Sequence, residues 1–178
     1  MKMIILDRDG VINQDSDQFI KSPEEWIPIP GSLEAIARLN QSGWRVVVAS
    51  NQSGVGRGLF GMDTLNAINA KMVESVAQAG GRLDAIFFCP HAADSTCDCR
   101  KPKPGLYKQI ESRFNVDLTG VPTVGDSLRD LQAGQAVGCQ TYLVLTGKGE
   151  RTREDPELPA DTLVFPDLSA VADALLLD

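Results

Sequence analysis

Met3-Ile4-Ile5-Leu6-Asp7-Arg8-Asp9-Gly10-Val11-Ile12 is the stretch from which the fold is read. Its first four residues are uninterrupted and apolar, as in a strand buried on both faces, and Asp9-Gly10 then supplies turn chemistry. In extended backbone, residues two apart face the same way, so Asp7 and Asp9 stand together just past the strand tip. Aspartates at such a place can act as a turn or a cap; they can also act as a reactive pair.

Short apolar runs like this one recur at residues 45–49, 86–89, 123–124, 141–145 and 162–165. Between them lie segments with helical spacing. Leu33, Ile36 and Leu39 share one face after Pro30-Gly31-Ser32, and Gly43 closes that helix. Leu65, Ile68, Met72 and Val76 mark a second, ended by Gly80-Gly81; Leu106, Ile110 and Phe114 mark a third; residues 128–137 and 168–176 give two more. Strand and helix alternate throughout, which predicts an α/β, Rossmann-like, doubly wound parallel sheet with helices on both faces. Residues 13–30, 51–61, 90–104 and 146–159 remain as loops, and open sheets of this kind bind ligands beyond the carboxyl ends of their strands.

The chain has 178 residues, 43% of them hydrophobic, which suits one domain spanning 1–178 with one sizeable core. Its net charge is −7 and its pI about 4.7, without a basic run, so no nucleic-acid partner is expected. No apolar stretch reaches the roughly 20 residues of a membrane span, and no signal-like segment opens the chain, so a cytoplasmic protein without a membrane partner is expected. A monomer is the default.

Three further strand ends carry chemistry. Ser50-Asn51-Gln52-Ser53-Gly54-Val55-Gly56-Arg57-Gly58 places a hydroxyl before a loop rich in amides and glycines, suited to presenting N–H groups to an anion. Arg100-Lys101-Pro102-Lys103-Pro104-Gly105 concentrates three cations in an acidic chain and opens a helix. Val124-Gly125-Asp126-Ser127-Leu128-Arg129-Asp130 again delivers acids at a strand tip, this time opening a helix. A carboxylate beside a hard cation can attack phosphorus, and a second aspartate in a different environment can hold the proton.

These four segments, in this order, resemble the motifs of the haloacid-dehalogenase-like phosphohydrolases, the first being Asp-x-Asp-Gly-x-[Thr/Val] and the fourth Gly-Asp-x-x-x-Asp. The resemblance implies a magnesium-dependent phosphomonoesterase with Asp7 as nucleophile and Asp9 as general acid and then base. It implies Ser50 and Lys101 as partners of the transferring phosphoryl group, and magnesium held by Asp7, Asp126 and the Asp9 carbonyl, with Asp130 orienting that site or capping the helix.

Cys89, His91, Cys97 and Cys99 cluster in one loop and include the only histidine, a donor set that suits tetrahedral zinc. Four protein ligands leave no open position, so this Zn2+ should be structural, pinning the loop that ends in Arg100-Lys101. Cys139 stands apart and reads as core filling. The zinc loop and the run Cys99-Arg100-Lys101-Pro102-Lys103-Pro104-Gly105 are similar to a narrower group without a large cap domain, the D-glycero-D-manno-heptose 1,7-bisphosphate 7-phosphatases, and to their relatives the histidinol-phosphate phosphatases. The Gln-Ser-Gly and Arg-Gly of residues 52–58 resemble the heptose group, which implies a small phosphorylated sugar as substrate, in nucleotide-activated heptose synthesis for a surface glycan. Asn51, Gln52, Ser53, Arg57, Arg100 and Lys101 would then contact substrate, with Arg57 and Arg100 on a second phosphate. Asp15, Ser16, Asp17 and Gln18 join them, although the Gly-Tyr of many heptose phosphatases is missing there, and Ser127 stands where several relatives have lysine. The alternatives are a histidinol-phosphate phosphatase and a zinc-stabilised module that binds a sugar phosphate without hydrolysing it.

Overall fold

A computed structural model describes residues 2–177. Six strands form one sheet: β1 (Lys2–Leu6), β2 (Trp44–Asn51), β3 (Ala85–Cys89), β4 (Pro122–Gly125), β5 (Gln140–Val144) and β6 (Leu163–Phe165). Their spatial order is β3-β2-β1-β4-β5-β6 and every pair is parallel. The helices are α1 (Ser32–Gln41), α2 (Met62–Gln78), α3 (Gly105–Phe114), α4 (Leu128–Gln135), α5 (Gly149–Arg153) and α6 (Leu168–Leu176).

Alternation along the strands divides the core in two. Ile4, Leu6, Val46 and Val48 pack with Ile36 and Leu39 of α1, with Ile68, Met72 and Val76 of α2, and with Val171 of α6. Met3, Ile5, Val47 and Ala49 turn to the opposite face and meet Leu106, Tyr107 and Ile110 of α3 and Ala133 of α4. Because both faces are covered, residues 3–6 of β1 and 46–49 of β2 are apolar without a break, as the sequence predicts. Cys139 fills the second of these clusters.

Two expected loops contain helix. Pro23–Glu25 forms a single 3-10 turn, and α5 occupies part of the expected loop 146–159. Gly-Glu-Arg-Thr-Arg carries no apolar repeat; the turn is held instead by the Thr152 hydroxyl, which donates to the carbonyls of Asp126 (2.7 Å) and Lys148 (3.1 Å). β2 also runs past residue 49, because Ser50 and Asn51 continue the ladder opposite Phe88 and Cys89.

The chain winds outward from β1 through β2 and β3, crosses back, and continues outward through β4, β5 and β6. The reversal leaves β1 beside β4, with Leu6 opposite Val124. A crevice opens at such a switch point, beyond the carboxyl ends of the two strands. Asp7 and Asp126 are the residues that follow them.

Candidate active site

At the floor of this crevice the carboxylates of Asp7, Asp126 and Asp130 come within 4.8 Å of one another. Lys101, only 1% exposed, reaches between them from the loop before α3. Its ammonium donates to Asp7 (3.3 Å), to Asp130 (3.0 Å) and to the Ala49 carbonyl. Burial opposes the Lys101 charge, but Asp130 and Asp7 outweigh it and raise its pKa. Burial likewise works against ionised Asp130, yet Lys101 and bonds from Ser127 hold that carboxyl below its usual value. Asp130 caps α4: it accepts the Ser127 N–H (3.2 Å) and hydroxyl (3.0 Å). Its oxygens are therefore committed to lysine and cap.

Asp7 and Asp126 are less well compensated. Burial, then the charge of Asp130, pushes Asp7 up to about 7 against the pull of Lys101. Burial, Asp130 and Asp7 push Asp126 up to about 9. Two desolvated acids this close need a cation to stay ionised. The backbone beside Asp126 leaves no room for a side chain at two positions: a Cβ on Gly10 (φ +87°) would lie 2.0 Å from Asp126 Oδ2, and one on Gly147 (φ +56°) 2.3 Å from the same atom. Lys148 N–H donates to that oxygen at 2.9 Å, and the Thr146 hydroxyl to the Gly10 carbonyl at 2.6 Å. The segment after β5 thus braces Asp126 against the turn that follows Asp7.

Asp9 turns away from this group. Its carboxylate accepts from Arg8 Nε (2.8 Å) and Asn13 Nδ2 (3.0 Å), and Arg8, itself 1% exposed, also donates to Gln52 Oε1 (2.9 Å). Gln52 Nε2 in turn donates to Ser50 Oγ at 2.6 Å. One buried guanidinium therefore fixes both Asp9 and the Ser50 hydroxyl. Asn51 grips the main chain of Lys101, accepting its N–H (3.0 Å) and donating to its carbonyl (3.2 Å). The ends of β1 and β2 are thereby tied to the loop before α3.

Above the floor lies a cavity of about 240 Å³, and Asp7, Asp9, Ser50 and Asp126 all border it. Asn51, Gln52, Ser53, Arg57, Arg100, Asp15, Ser16 and Asp17 border it too. Gln18 does not: Ser16 Oγ accepts the Gln18 N–H at 3.1 Å, and this turn carries Gln18 to the exposed outer side. Lys101 does not border the cavity; it lies beneath it, bonded to Asp7 and Asp130, which do. The sequence pattern missed Arg8, Arg129 and Lys148. Lys148 forms an ion pair with Asp15, closing one side of the cavity, while Arg57 stacks over the Phe19 ring at 5.4 Å on the other. Arg8 alone left a signal, an arginine enclosed between two aspartates and apolar neighbours.

The second cluster stands at the end of β3. Cys89 Sγ lies 3.3 Å from His91 Nδ1 and 3.7 Å from Cys97 Sγ, and Cys99 Sγ lies 3.4 Å from the same nitrogen. Tetrahedral zinc with ordinary bond lengths sets its sulfurs about 3.8 Å apart and sulfur and nitrogen about 3.6 Å apart. The four donors match that spacing, and all four cysteines of the chain are free thiols. Hydrogen bonding from Ser95 takes the Cys97 thiol down to about 6, whereas burial pushes Cys99 up to about 12 and raises Cys89. Only a cation among them would let all three be thiolates.

A HAD-hydrolase-like family model matches residues 98–171, which hold Lys101, Asp126 and Asp130. The D-glycero-beta-D-manno-heptose-1,7-bisphosphate 7-phosphatase of Bordetella bronchiseptica is 61% identical over 99% of this chain and 98% of its own length. The Pseudomonas aeruginosa protein of the same name is 58% identical over 98% of this chain and 97% of its own. The crystal structure of D,D-heptose 1,7-bisphosphate phosphatase from B. bronchiseptica, complexed with magnesium and phosphate, matches with a TM-score of 0.98 at 61% identity over 99% of both chains.

Proposed function

Since the chain belongs to the D-glycero-beta-D-manno-heptose-1,7-bisphosphate 7-phosphatase family of haloacid-dehalogenase-like hydrolases, we propose that it removes the 7-phosphate of that sugar by way of Asp7. The observation that carries this reading is the floor of the crevice, where Asp7 faces Lys101 and Asp126 at the base of a cavity sized for a small molecule. In the first step an Asp7 oxygen forms a bond to phosphorus while the bond from phosphorus to the sugar oxygen breaks, and Asp9 gives that oxygen its proton. In the second, Asp9 takes a proton from water, water attacks the same phosphorus, and Asp7 leaves as a free carboxylate. Arg8 and Asn13 keep the Asp9 carboxylate oriented for both transfers. Ser50, held by Gln52, hydrogen-bonds the moving phosphoryl group, and Lys101 offsets its charge through the floor. Magnesium, which the B. bronchiseptica complex contains, would be held in this chain by Asp7, Asp126 and the Asp9 carbonyl, neutralising phosphoryl oxygens and keeping both carboxylates ionised.

Asn51, Gln52 and Ser53 contact the transferred phosphate in this reading, and Asp15, Ser16 and Asp17 the sugar. Arg57 and Arg100, at the mouth, meet the second phosphate. Zinc held by Cys89, His91, Cys97 and Cys99 would fix the loop from which Arg100 and Lys101 project, and take no part in the chemistry. We take residues 1–178 as one catalytic domain acting as a cytoplasmic monomer. The free thiols suit a reducing compartment, and no described helix is long and apolar enough to cross a membrane.

The test is phosphate release with magnesium from heptose 1,7-bisphosphate, fructose 1,6-bisphosphate and histidinol phosphate side by side. The heptose should be turned over with the highest kcat/KM, and Asp7→Asn should abolish release from all three. Faster release from histidinol phosphate would overturn the substrate; an active Asp7→Asn would overturn the covalent route.

A further inference from the structure

Two hollows meet beside the reacting aspartates. One is the cavity of about 240 Å³ over Asp7 and Asp126. The other, of about 630 Å³, lies between the chain after β1 and the segment that leads into α5, where Ile29, Pro30, Glu150 and Arg151 border it. Asp15, Ser16, Asp17 and Lys148 line both. The two spaces are therefore neighbours, and these four residues form the wall between them. Across that wall runs one ion pair, Lys148 with Asp15.

The main chain holds both ends of the pair. The Lys148 N–H donates to Asp126 Oδ2 at 2.9 Å, and the Lys148 carbonyl accepts the Thr152 hydroxyl at 3.1 Å. On the other side the Gln14 N–H donates to the Ile27 carbonyl at 2.8 Å and fixes the segment that delivers Asp15. The two side chains are 28% and 16% exposed, so water screens this pair less than one on the open surface. Lys148 also answers a carboxylate that would otherwise face an incoming phosphate. The inner cavity by itself falls short of the roughly 300–1,000 Å³ usual for ligand pockets, whereas inner and outer hollows joined would fall within that range.

We infer that the Lys148–Asp15 pair is a partition that sets the size of the substrate. Closed, it confines the leaving group to the inner cavity and admits phosphate esters of one small sugar. Opened, it lets a longer leaving group run on into the outer hollow. This rests on the phosphomonoesterase reading of the crevice and not on the identity of the sugar. Lys148 touches Asp15 and not the reacting atoms, so it is a specificity-determining residue whose main chain separately braces Asp126.

Glucose 6-phosphate and trehalose 6-phosphate carry the same primary phosphate ester and differ by one glucose ring, so the ratio of their kcat/KM values measures size. The experiment takes that ratio for the wild-type chain, Lys148→Arg, the double variant Asp15→Ser/Lys148→Ala and Arg151→Ala, with magnesium present. The double variant removes the pair without leaving a lone carboxylate and should raise the ratio in favour of trehalose 6-phosphate about tenfold, the low end of what a pocket wall discriminates. Lys148→Arg keeps the pair and should keep the wild-type ratio. Arg151→Ala alters only the outer hollow and should keep it too. An unchanged ratio in the double variant, whether both rates fall together or the disaccharide ester stays inert, overturns the partition, and so does an equal rise in Arg151→Ala. Heptose 1,7-bisphosphate assayed alongside separates the readings: a wild-type chain that hydrolyses glucose 6-phosphate but not the heptose overturns the sugar and leaves the partition to the ratio, and one inert on all three esters overturns both.

Discussion

Replacing Lys101 with methionine keeps the length of the side chain and deletes its charge. The ammonium is nearly inaccessible and lies 3.3 Å from Asp7 and 3.0 Å from Asp130, so the variant leaves two buried carboxylates facing each other without a cation. Removing one member of a buried pair costs about 3–5 kcal/mol. With a urea dependence of about 2 kcal/mol per molar, the unfolding midpoint should fall by about 2 M. Catalysis should suffer separately. Loss of a preorganised charge next to the transferring group costs about a hundredfold or more in kcat. Lys101 is also the strongest influence holding Asp7 down, so the acid limb of the rate profile should move to higher pH. Urea unfolding with and without magnesium, and steady-state phosphate release across pH, read these three effects. Lys103→Met is the control, since among the described residues the Lys103 ammonium bonds only the Cys97 carbonyl, at 2.9 Å. A Lys101→Met midpoint within about 0.5 M of wild type, together with a kcat within about threefold, would refute the reasoning.

Two further outcomes follow from the metal sites. In the metal-free chain Asp7 titrates near about 7 and Asp126 near about 9, both above the 3.8 of an unperturbed aspartate. Groups raised in this way stabilise the fold most below the unfolded value, and that contribution is lost as pH climbs through the folded values. Magnesium binds the ionised pair, so its effect on Tm should be larger at about pH 8 than at about pH 5; equal shifts would contradict the assignment of these two aspartates. At the other site, one zinc per chain is expected by elemental analysis. Cys97→Ala should lose that zinc, lower Tm and raise KM more than it lowers kcat, because the loop positions Arg100; full zinc content in the variant would exclude this cage.

The sheet is legible in the sequence because its central strands β1 and β2 are buried on both faces, which leaves the runs Met3-Ile4-Ile5-Leu6 and Val46-Val47-Val48 without a polar interruption. α2 is legible for the complementary reason, since Leu65, Ile68, Met72 and Val76 bury one stripe and nothing else. α5 is not, because its reason for existing lies in Asp126, 26 residues away from the Thr152 hydroxyl that bonds it. A tertiary hydrogen bond leaves no period behind.

The same distinction runs through the site. Asp7, Ser50, Lys101 and Asp126 announce themselves because Asp7 and Asp126 follow strands, Ser50 stands near the end of one and Lys101 lies in the loop before a helix, and a parallel sheet gathers such positions at one edge whatever their separation in sequence. What joins them is written in residues whose local reading points elsewhere. Arg8 lies between two aspartates on an extended segment and by alternation should face away from both; the turn at Gly10 instead lets the Asp9 carboxylate fold back onto its guanidinium. Gly147 reads as loop filler, yet a methyl group there would strike Asp126. Arg129 reads as the solvent face of a helix, yet it borders the same cavity as Asp7 and Asp126. Strand tips therefore specify which chemistry the crevice can hold, whereas cross-motif pairs decide which molecule fits it, and the second kind of information appears only when the chain is folded.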